Sequence, residues 1–230
     1  MFPDRLVLTF HGIGAPSAAT DAAERPYWVT PEVLGAVIQQ AQADRRIEIT
    51  FDDGFASDFD IACPMLAEAG LSSTFFVLAG RLDRPGSLSR MQVAEMAAMG
   101  MGIGNHGMDH RDWTSCADDV LHRELHDARH IIEDAAGCPV DSLSIPFGAF
   151  DRRVLQKAFE AGYRRVFTSS GGLARRGDRL VPRNTVCHDF DAPSDIARLA
   201  GWGSRARSAV RNPLRARKYG VNTWMADHVL

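Results

Sequence analysis

The chain is poor in the features that mark several protein classes. It has only four cysteines, Cys63, Cys116, Cys138 and Cys187, and no CxxC pair. That excludes a disulfide scaffold, a zinc knuckle and a thioredoxin-like motif, and it leaves buried free thiols as the expectation. No apolar run approaches a membrane span, and Leu6-Val7-Leu8-Thr9-Phe10 is too short for a signal peptide. The expected location is cytoplasmic, without stable membrane insertion. Charge of one sign is lacking too: 26 basic residues against 29 acidic leave a net −3, too weak an overall field to recruit nucleic acid or an anionic membrane. Repeats, low-complexity tracts and Pro/Gly/Ser linkers are missing before about residue 190. What remains is 230 residues, 45% hydrophobic and 24% charged, the balance of one soluble domain with a large core.

The end of the chain departs from this balance. Residues 201–230 hold Arg205, Arg207, Arg211, Arg215, Arg217 and Lys218 against Asp227 alone, so residues 1–200 read as the catalytic domain and 201–230 as a basic tail. The tail has helical spacing at Ala206, Val210 and Leu214, broken by Pro213.

Short apolar or β-branched runs at 6–10, 47–51, 74–78, 101–104, 142–145 and 165–168 predict strands. Segments 31–43, 58–69, 90–99, 117–135 and 152–161 carry apolar residues at three- and four-residue spacing and predict helices. Start signals support two of them: Pro31 follows Thr30, and Ser89 precedes the third. Alternation of this kind predicts an α/β fold with a parallel sheet, open or closed into a barrel, with its chemistry beyond the strand C-termini. Residues 11–30 are longer than a βα connection needs and form a candidate active-site flap.

Thr50-Phe51-Asp52-Asp53-Gly54 places two adjacent carboxylates at a strand end, an arrangement costly in a partly dry site unless a cation or proton intervenes. His106 and His110, in Asn105-His106-Gly107-Met108-Asp109-His110, leave another strand at a spacing that lets two imidazoles converge on one ion. One carboxylate and two histidines leave coordination positions open, as catalytic sites require. The same ligand set serves hydrolytic zinc and non-haem iron; alternation of strands and helices favours hydrolysis. Ser144-Ile145-Pro146-Phe147-Gly148 can present a backbone N–H at the same mouth. His11 directly follows the first strand run. His188 is less clearly placed, and His122, His126, His130 and His228 fall on helices or the tail.

With these pieces together, residues 6–190 resemble the polysaccharide deacetylases of the NodB-homology type, carbohydrate esterase family 4. Thr50–Gly54 matches a TFDDG motif, His106–His110 an H-[S/T]-x-x-H motif, and Ile145-Pro146-Phe147-Gly148 the end of R-x-P-[F/Y]-G; Leu71-Ser72-Ser73-Thr74-Phe75-Phe76-Val77 resembles the strand between the first two. The resemblance implies a distorted (β/α) barrel and metal-dependent hydrolysis of N- or O-acetyl groups on an acetylated poly- or oligosaccharide, a cleavage of C–N bonds other than peptide bonds. Carried over, Asp53, His106 and His110 hold a divalent metal, zinc first, with cobalt, nickel or manganese as alternatives. Asp52 is the general base, and the Phe147 N–H stabilises the oxyanion.

Three departures stand out. Gly107 replaces the Ser/Thr between the histidines, and Ser144 stands where many members have an arginine that helps fix the base. The late run Leu180-Val181-Pro182-Arg183-Asn184-Thr185-Val186 lacks the usual late histidine. That run and Thr9-Phe10-His11-Gly12 resemble the circularly permuted exopolysaccharide-deacetylase subgroup, which implies His11 as general acid, with His188 second. Pro146, Phe147 and Trp113 are the candidate substrate-binding residues; Trp113 is the best-placed sugar-stacking face, with Tyr27 and Trp28 as further candidates. Rival readings are a hydrolase of a non-carbohydrate amide or acetyl ester, and a non-catalytic carbohydrate-binding domain.

Overall fold

A computed structural model describes residues 4–16, 20 and 22–220. Six parallel strands, β1 (Asp4–Phe10), β2 (Ile47–Phe51), β3 (Thr74–Val77), β4 (Gly102–Asn105), β5 (Ser142–Ser144) and β6 (Arg165–Thr168), lie side by side in chain order. They match the six predicted strands to within a residue or two at each end. Between them run α1 (Pro31–Ala43), α2 (Cys63–Glu68, continuing a π-helical turn over Asp58–Ala62), α3 (Arg90–Ala98), α4 (Asp118–His122), α5 (Ala128–Ala136, joined to α4 by a second π-helical turn) and α6 (Arg152–Glu160). Pro31 occupies the first turn of α1. Ser89 and Gln92 form a reciprocal capping box at α3.

Three short strands follow: β7 (Ala174–Arg175), which was not predicted, and β8 (Leu180–Pro182) and β9 (Asn184–Thr185), which divide the late run between them. β7 runs antiparallel to the start of β1, β8 is parallel to β6, and β9 is parallel to β1. Since only Arg183 separates β8 from β9, this stretch crosses from β6 to β1 and nearly closes the sheet into a barrel. The late run read as one strand is therefore two, bent at Arg183.

Side-chain alternation sorts the strands into an outer face under the helices and an inner face. Phe10, Phe51 and Phe75 are neighbours in register on the outer face, with ring centroids 5.4 and 4.5 Å apart. Such cross-strand stacks contribute about 0.5–1.5 kcal/mol each beyond burial. They lock the register one residue below Asp52. The barrel interior is layered. At the strand starts Glu48 accepts hydrogen bonds from Arg5 and Arg165, and burial beside Arg165 lowers Arg5 to about 10. Above lie Val7, Phe76, Phe167, Ala174 and Val181. Gly104 faces Phe76, whose ring would sit 2.4 Å from any β-carbon there.

α7 (Ala192–Ala200) packs against α1, and its N-terminus is capped by Asp191, which accepts from the Ser194 N–H. α8 (Trp202–Tyr219) runs straight through Pro213, contrary to the expected break. The physical reason is anchorage on both sides: Asn212 bonds to Leu173 O and Arg215 to Ser170, while Pro213 itself faces solvent. Residues 221–230 of the basic tail, with Asp227 and His228, lie outside the described residues. Among the described residues no helix is long and apolar enough to cross a membrane.

Candidate active site

Every chemistry-bearing motif leaves the sheet at a strand C-terminus. His11 follows β1, Asp52 and Asp53 follow β2, His106 follows β4, Phe147 follows β5, and Ser169 follows β6. Together with Glu24, Tyr27, His110 and Thr185 they line one cleft of about 430 Å³. Three of its residues, Asp53, His110 and Phe147, have φ of 76°, 53° and 58°. Left-handed backbone in non-glycine residues costs of order 1–3 kcal/mol each and gathers at functional sites.

Ligand atoms of Asp53, His106 and His110 all lie within 4.8 Å of one another. Asp53 Oδ1 is 3.5 Å from Nε2 of each histidine and, though buried, meets no hydrogen-bond donor. His106 Nδ1 lies 2.9 Å from the Ser144 carbonyl oxygen. A carbonyl can only accept, so Nδ1 carries the proton and Nε2 offers a lone pair to the cleft. Burial pushes His110 down to about 4, keeping it neutral as a ligand must be. An orphaned carboxylate oxygen facing two bare imidazole nitrogens fits a divalent cation with open positions.

Asp52 sits beside this cluster, buried, with Oδ2 4.0 Å from His106 Nε2. Its carboxylate is gripped bidentately by Arg183, Nη1 to Oδ1 at 2.8 Å and Nη2 to Oδ2 at 2.6 Å. Ser144 Oγ accepts from Arg183 Nη2 at 2.6 Å and donates to Asp52 Oδ2 at 3.1 Å. Burial alone would raise Asp52, but the Arg183 guanidinium outweighs it and holds the carboxyl well below the usual carboxylate range. Arg183 is itself fully buried against the Phe76 and Phe167 rings, its Cζ 5.2 and 5.7 Å from their centroids. The guanidinium missing at position 144 thus arrives from the barrel-closing stretch, with Ser144 as its hydrogen-bond partner. Its only mark in the sequence is a charge inside an apolar strand run.

Glu124 is a second residue that the sequence reading passed over. Fully buried on the apolar side of the α4–α5 helix, it accepts the Met108 N–H at 2.6 Å and the Asp109 N–H at 3.3 Å. Asn105 braces the same loop, accepting the Gly107 N–H at 2.7 Å and donating to Tyr163 Oη at 2.7 Å. A β-carbon on Gly107 would lie 2.4 Å from Glu124 Oε2 and 2.9 Å from the Trp113 ring, at a φ of 95°. The place a Ser/Thr side chain would take is filled by a carboxylate that holds the loop directly.

Two expectations are corrected. Trp113 is completely buried and lies behind Gly107, so it offers no face to a ligand; its proximity in sequence to His110 does not set the side of the loop it faces. Pro146 is buried beneath the turn that presents Phe147 and does not line the cleft. Phe147 is 65% exposed with its ring 4.4 Å from that of His110, and Tyr27 is 40% exposed with its ring 5.1 Å from that of His11. Trp28 packs on Gly12 and Phe55. His188 is exposed outside the cleft, donating its N–H to the Pro26 carbonyl. Residues 17–19 and 21 of the expected flap lie outside the described residues; its base is closed by the Ile13–Val29 bridge, and Ala23, Glu24 and Tyr27 line the cleft.

Such a cluster at the mouth of an α/β barrel fits hydrolytic chemistry. Residues 39–166 match the family described as polysaccharide deacetylase. The chitooligosaccharide deacetylase of Rhizobium leguminosarum bv. trifolii is 34% identical over 134 residues, 55% of this chain and 57% of that one. That of Sinorhizobium fredii is 33% identical over 143 residues, 60% of this chain and 63% of its own length. The chain therefore spans less than two thirds of either relative. In fold, it superposes on Streptococcus pyogenes deacetylase PplD with a TM-score of 0.75 at 19% identity, covering 87% of this chain and 100% of that one. With IcaB from Ammonifex degensii the TM-score is 0.71 at 20% identity, covering 86% and 97%. This chain belongs to the polysaccharide deacetylase family.

Two measurements check this anatomy. Gly107→Ser, which restores the hydroxyl familiar from the family motif, should cost about 3 kcal/mol or more in urea unfolding, because strain and the Glu124 contact act together; a neutral or stabilised variant would refute the assignment of Glu124. The second concerns Asp58, fully buried with neither oxygen meeting a donor. Burial, with Asp53 and Asp52 nearby, pushes its carboxyl well above the usual range, so it stays protonated in the fold while the unfolded chain ionises above about pH 4. The folded state then holds the extra proton, and stability falls as pH rises above that point. Asp58→Asn should flatten the decline of Tm between about pH 5 and 8; an unchanged slope would show that Asp58 is ionised in the fold.

Proposed function

We propose that the chain removes acetyl groups, N-acetyl in preference, from an acetylated poly- or oligosaccharide, with Asp52 as general base and His11 as general acid. The observation that carries this reading is the orphaned Asp53 Oδ1 facing His106 and His110, beside a second carboxylate that Arg183 keeps ionised. Asp53, His106 and His110 would hold a divalent metal, zinc as first choice. Bound there, it supplies Lewis acidity, polarising the acetyl carbonyl and acidifying the attacking water enough for a base as weak as Asp52.

Asp52 accepts the water proton, its carboxylate fixed by Arg183 and Ser144 so that little reorganisation accompanies transfer. The Phe147 N–H, on a turn held in a left-handed conformation, donates to the developing oxyanion. His11, which lines the same cleft, protonates the leaving nitrogen, because an amide anion is a very poor leaving group. Exposed Tyr27 and Phe147 rings offer apolar faces to a sugar. Supply of the acid from the first strand, as in the permuted subgroup, is part of the proposal.

Zinc add-back to a chelated sample should restore acetate release from acetylated chitooligosaccharides. Asp52→Asn should keep the metal and lose about 10²–10⁴-fold in kcat. Arg183 then faces an amide, so the assay belongs well below the variant's own Tm. Asp53→Asn should instead lose metal; the opposite pattern would exchange the two carboxylates.

His11→Ala should retain metal and lose most amide hydrolysis, yet lose less on an activated acetyl ester, whose leaving group needs no proton. His188→Ala should leave both rates near wild type. An inactive His188→Ala beside an active His11→Ala would overturn the assignment of the acid.

A further inference from the structure

Helix α8 is docked through its polar side. Ser204 and Ser208 are buried, and this face meets the 170–173 segment. Ser208 Oγ accepts the Leu173 N–H at 3.0 Å, Asn212 donates to Leu173 O at 2.7 Å, Arg211 to Gly171 O, and Arg215 to Ser170 Oγ. Tyr219 packs against Phe150 with ring centroids 5.0 Å apart. The outward side therefore carries the apolar residues: Trp202, Ala206, Val210 and Leu214 follow one another at four-residue steps, with Trp202, Val210 and Leu214 exposed by 84%, 63% and 61%.

Alongside runs a cationic row in which Arg207 and Lys218 are exposed and make no bond to the docked segment, while Arg211 and Arg215 between them reach back to it. Among the described residues, none of the six basic side chains of α8 forms an ion pair with a carboxylate. An exposed apolar ridge beside unpaired cations marks an interaction surface.

We propose that α8 is a peripheral docking face for an anionic phospholipid bilayer, on which the apolar ridge enters the acyl boundary and the cationic row meets the headgroups. Charge complementarity selects this occupant. A second copy would bring the cationic row against itself, and a nucleic acid would satisfy the cations while leaving Trp202, Val210 and Leu214 in water. A bilayer surface presents anions and an apolar phase side by side along a plane, as the two rows of α8 do. The anchors of α8 also fix where that surface lies. The 170–173 segment leaves Ser169, and Phe150 follows Phe147, both cleft residues, so the docked bilayer flanks the cleft.

The test is flotation of the full chain with phosphatidylcholine vesicles and with phosphatidylcholine–phosphatidylglycerol vesicles. Binding is expected only to the second, weakening with salt, with a blue shift of tryptophan emission that disappears in Trp202→Phe. Val210→Asp with Leu214→Asp should abolish flotation, and Arg207→Glu with Lys218→Glu should weaken it by about tenfold or more. These positions are solvent-facing, and an unchanged melting curve verifies that each variant is folded. No flotation with the anionic vesicles overturns the proposal, as does flotation indifferent to both double variants. A dimer in sedimentation equilibrium that Val210→Asp with Leu214→Asp dissociates, without vesicle binding, would assign the face to a second copy. Competition by polyglutamate as effective as vesicles, without a blue shift, would assign it to any polyanion.

Discussion

The bidentate pair between Arg183 and Asp52 is the interaction on which the rest of the architecture depends. Two carboxylates, those of Asp52 and Asp53, stand buried at one end of the barrel beside the neutral carboxyl of Asp58, and among the described residues the only arginine or lysine fully buried with them is Arg183. Charges taken out of water at this cost are tolerable only when paired and hydrogen-bonded. Arg183 meets the requirement by bonding Asp52 with both terminal nitrogens and the Ser144 and Thr50 hydroxyls as well. Because Arg183 is also the link between β8 and β9, the contact that neutralises the site is the contact that closes the sheet. Breaking such a pair from one side typically costs about 3–5 kcal/mol.

Around that pair the site is held rigid by unusual backbone rather than by many contacts to the reacting groups themselves. Asp53, His110 and Phe147 are all left-handed, and each is pinned by something firmer: the stacked Phe10, Phe51 and Phe75 rings below Asp53, Glu124 and Asn105 at the loop of His106 and His110, and the buried Pro146 under Phe147. Glu124 is the more demanding of these devices, since its carboxylate is buried without a cation and repaid only by backbone N–H groups. It makes glycine obligatory at 107 and substitutes a main-chain clamp for a side-chain hydroxyl.

Much of this was legible in the sequence, for identifiable reasons. The six parallel strands show as apolar or β-branched runs bounded by helical spacing; His11, Asp52, Asp53 and His106 follow such runs within two residues, and Phe147 and His110 lie three and five residues past theirs, so topology brings them to one mouth. Arg183 was illegible because its strand reads as an ordinary apolar run and its partner lies 131 residues away. Glu124 was hidden in the same way, as one charge on a helix whose other polar residues face water. Trp113 and Pro146 were misread in the opposite direction: their nearness in sequence to a ligand and to a turn says nothing about which side of a loop they take, and both point inward. Pro213 argued for a break that tertiary anchorage overrides.

The Arg183 link also ties catalytic readiness to the order in which the chain becomes structured. Asp52 emerges early, in the second βα unit, but the group that fixes its ionisation belongs to nearly the last stretch of the barrel to be made. A chain elongated only through β6 would already hold Asp53, His106 and His110 while Asp52 remained unpaired and the sheet open. Long-range closure of this kind is slow compared with local helix formation. The Asp53, His106 and His110 cluster can therefore assemble before the barrel closes, whereas the paired state of Asp52 requires the closed barrel.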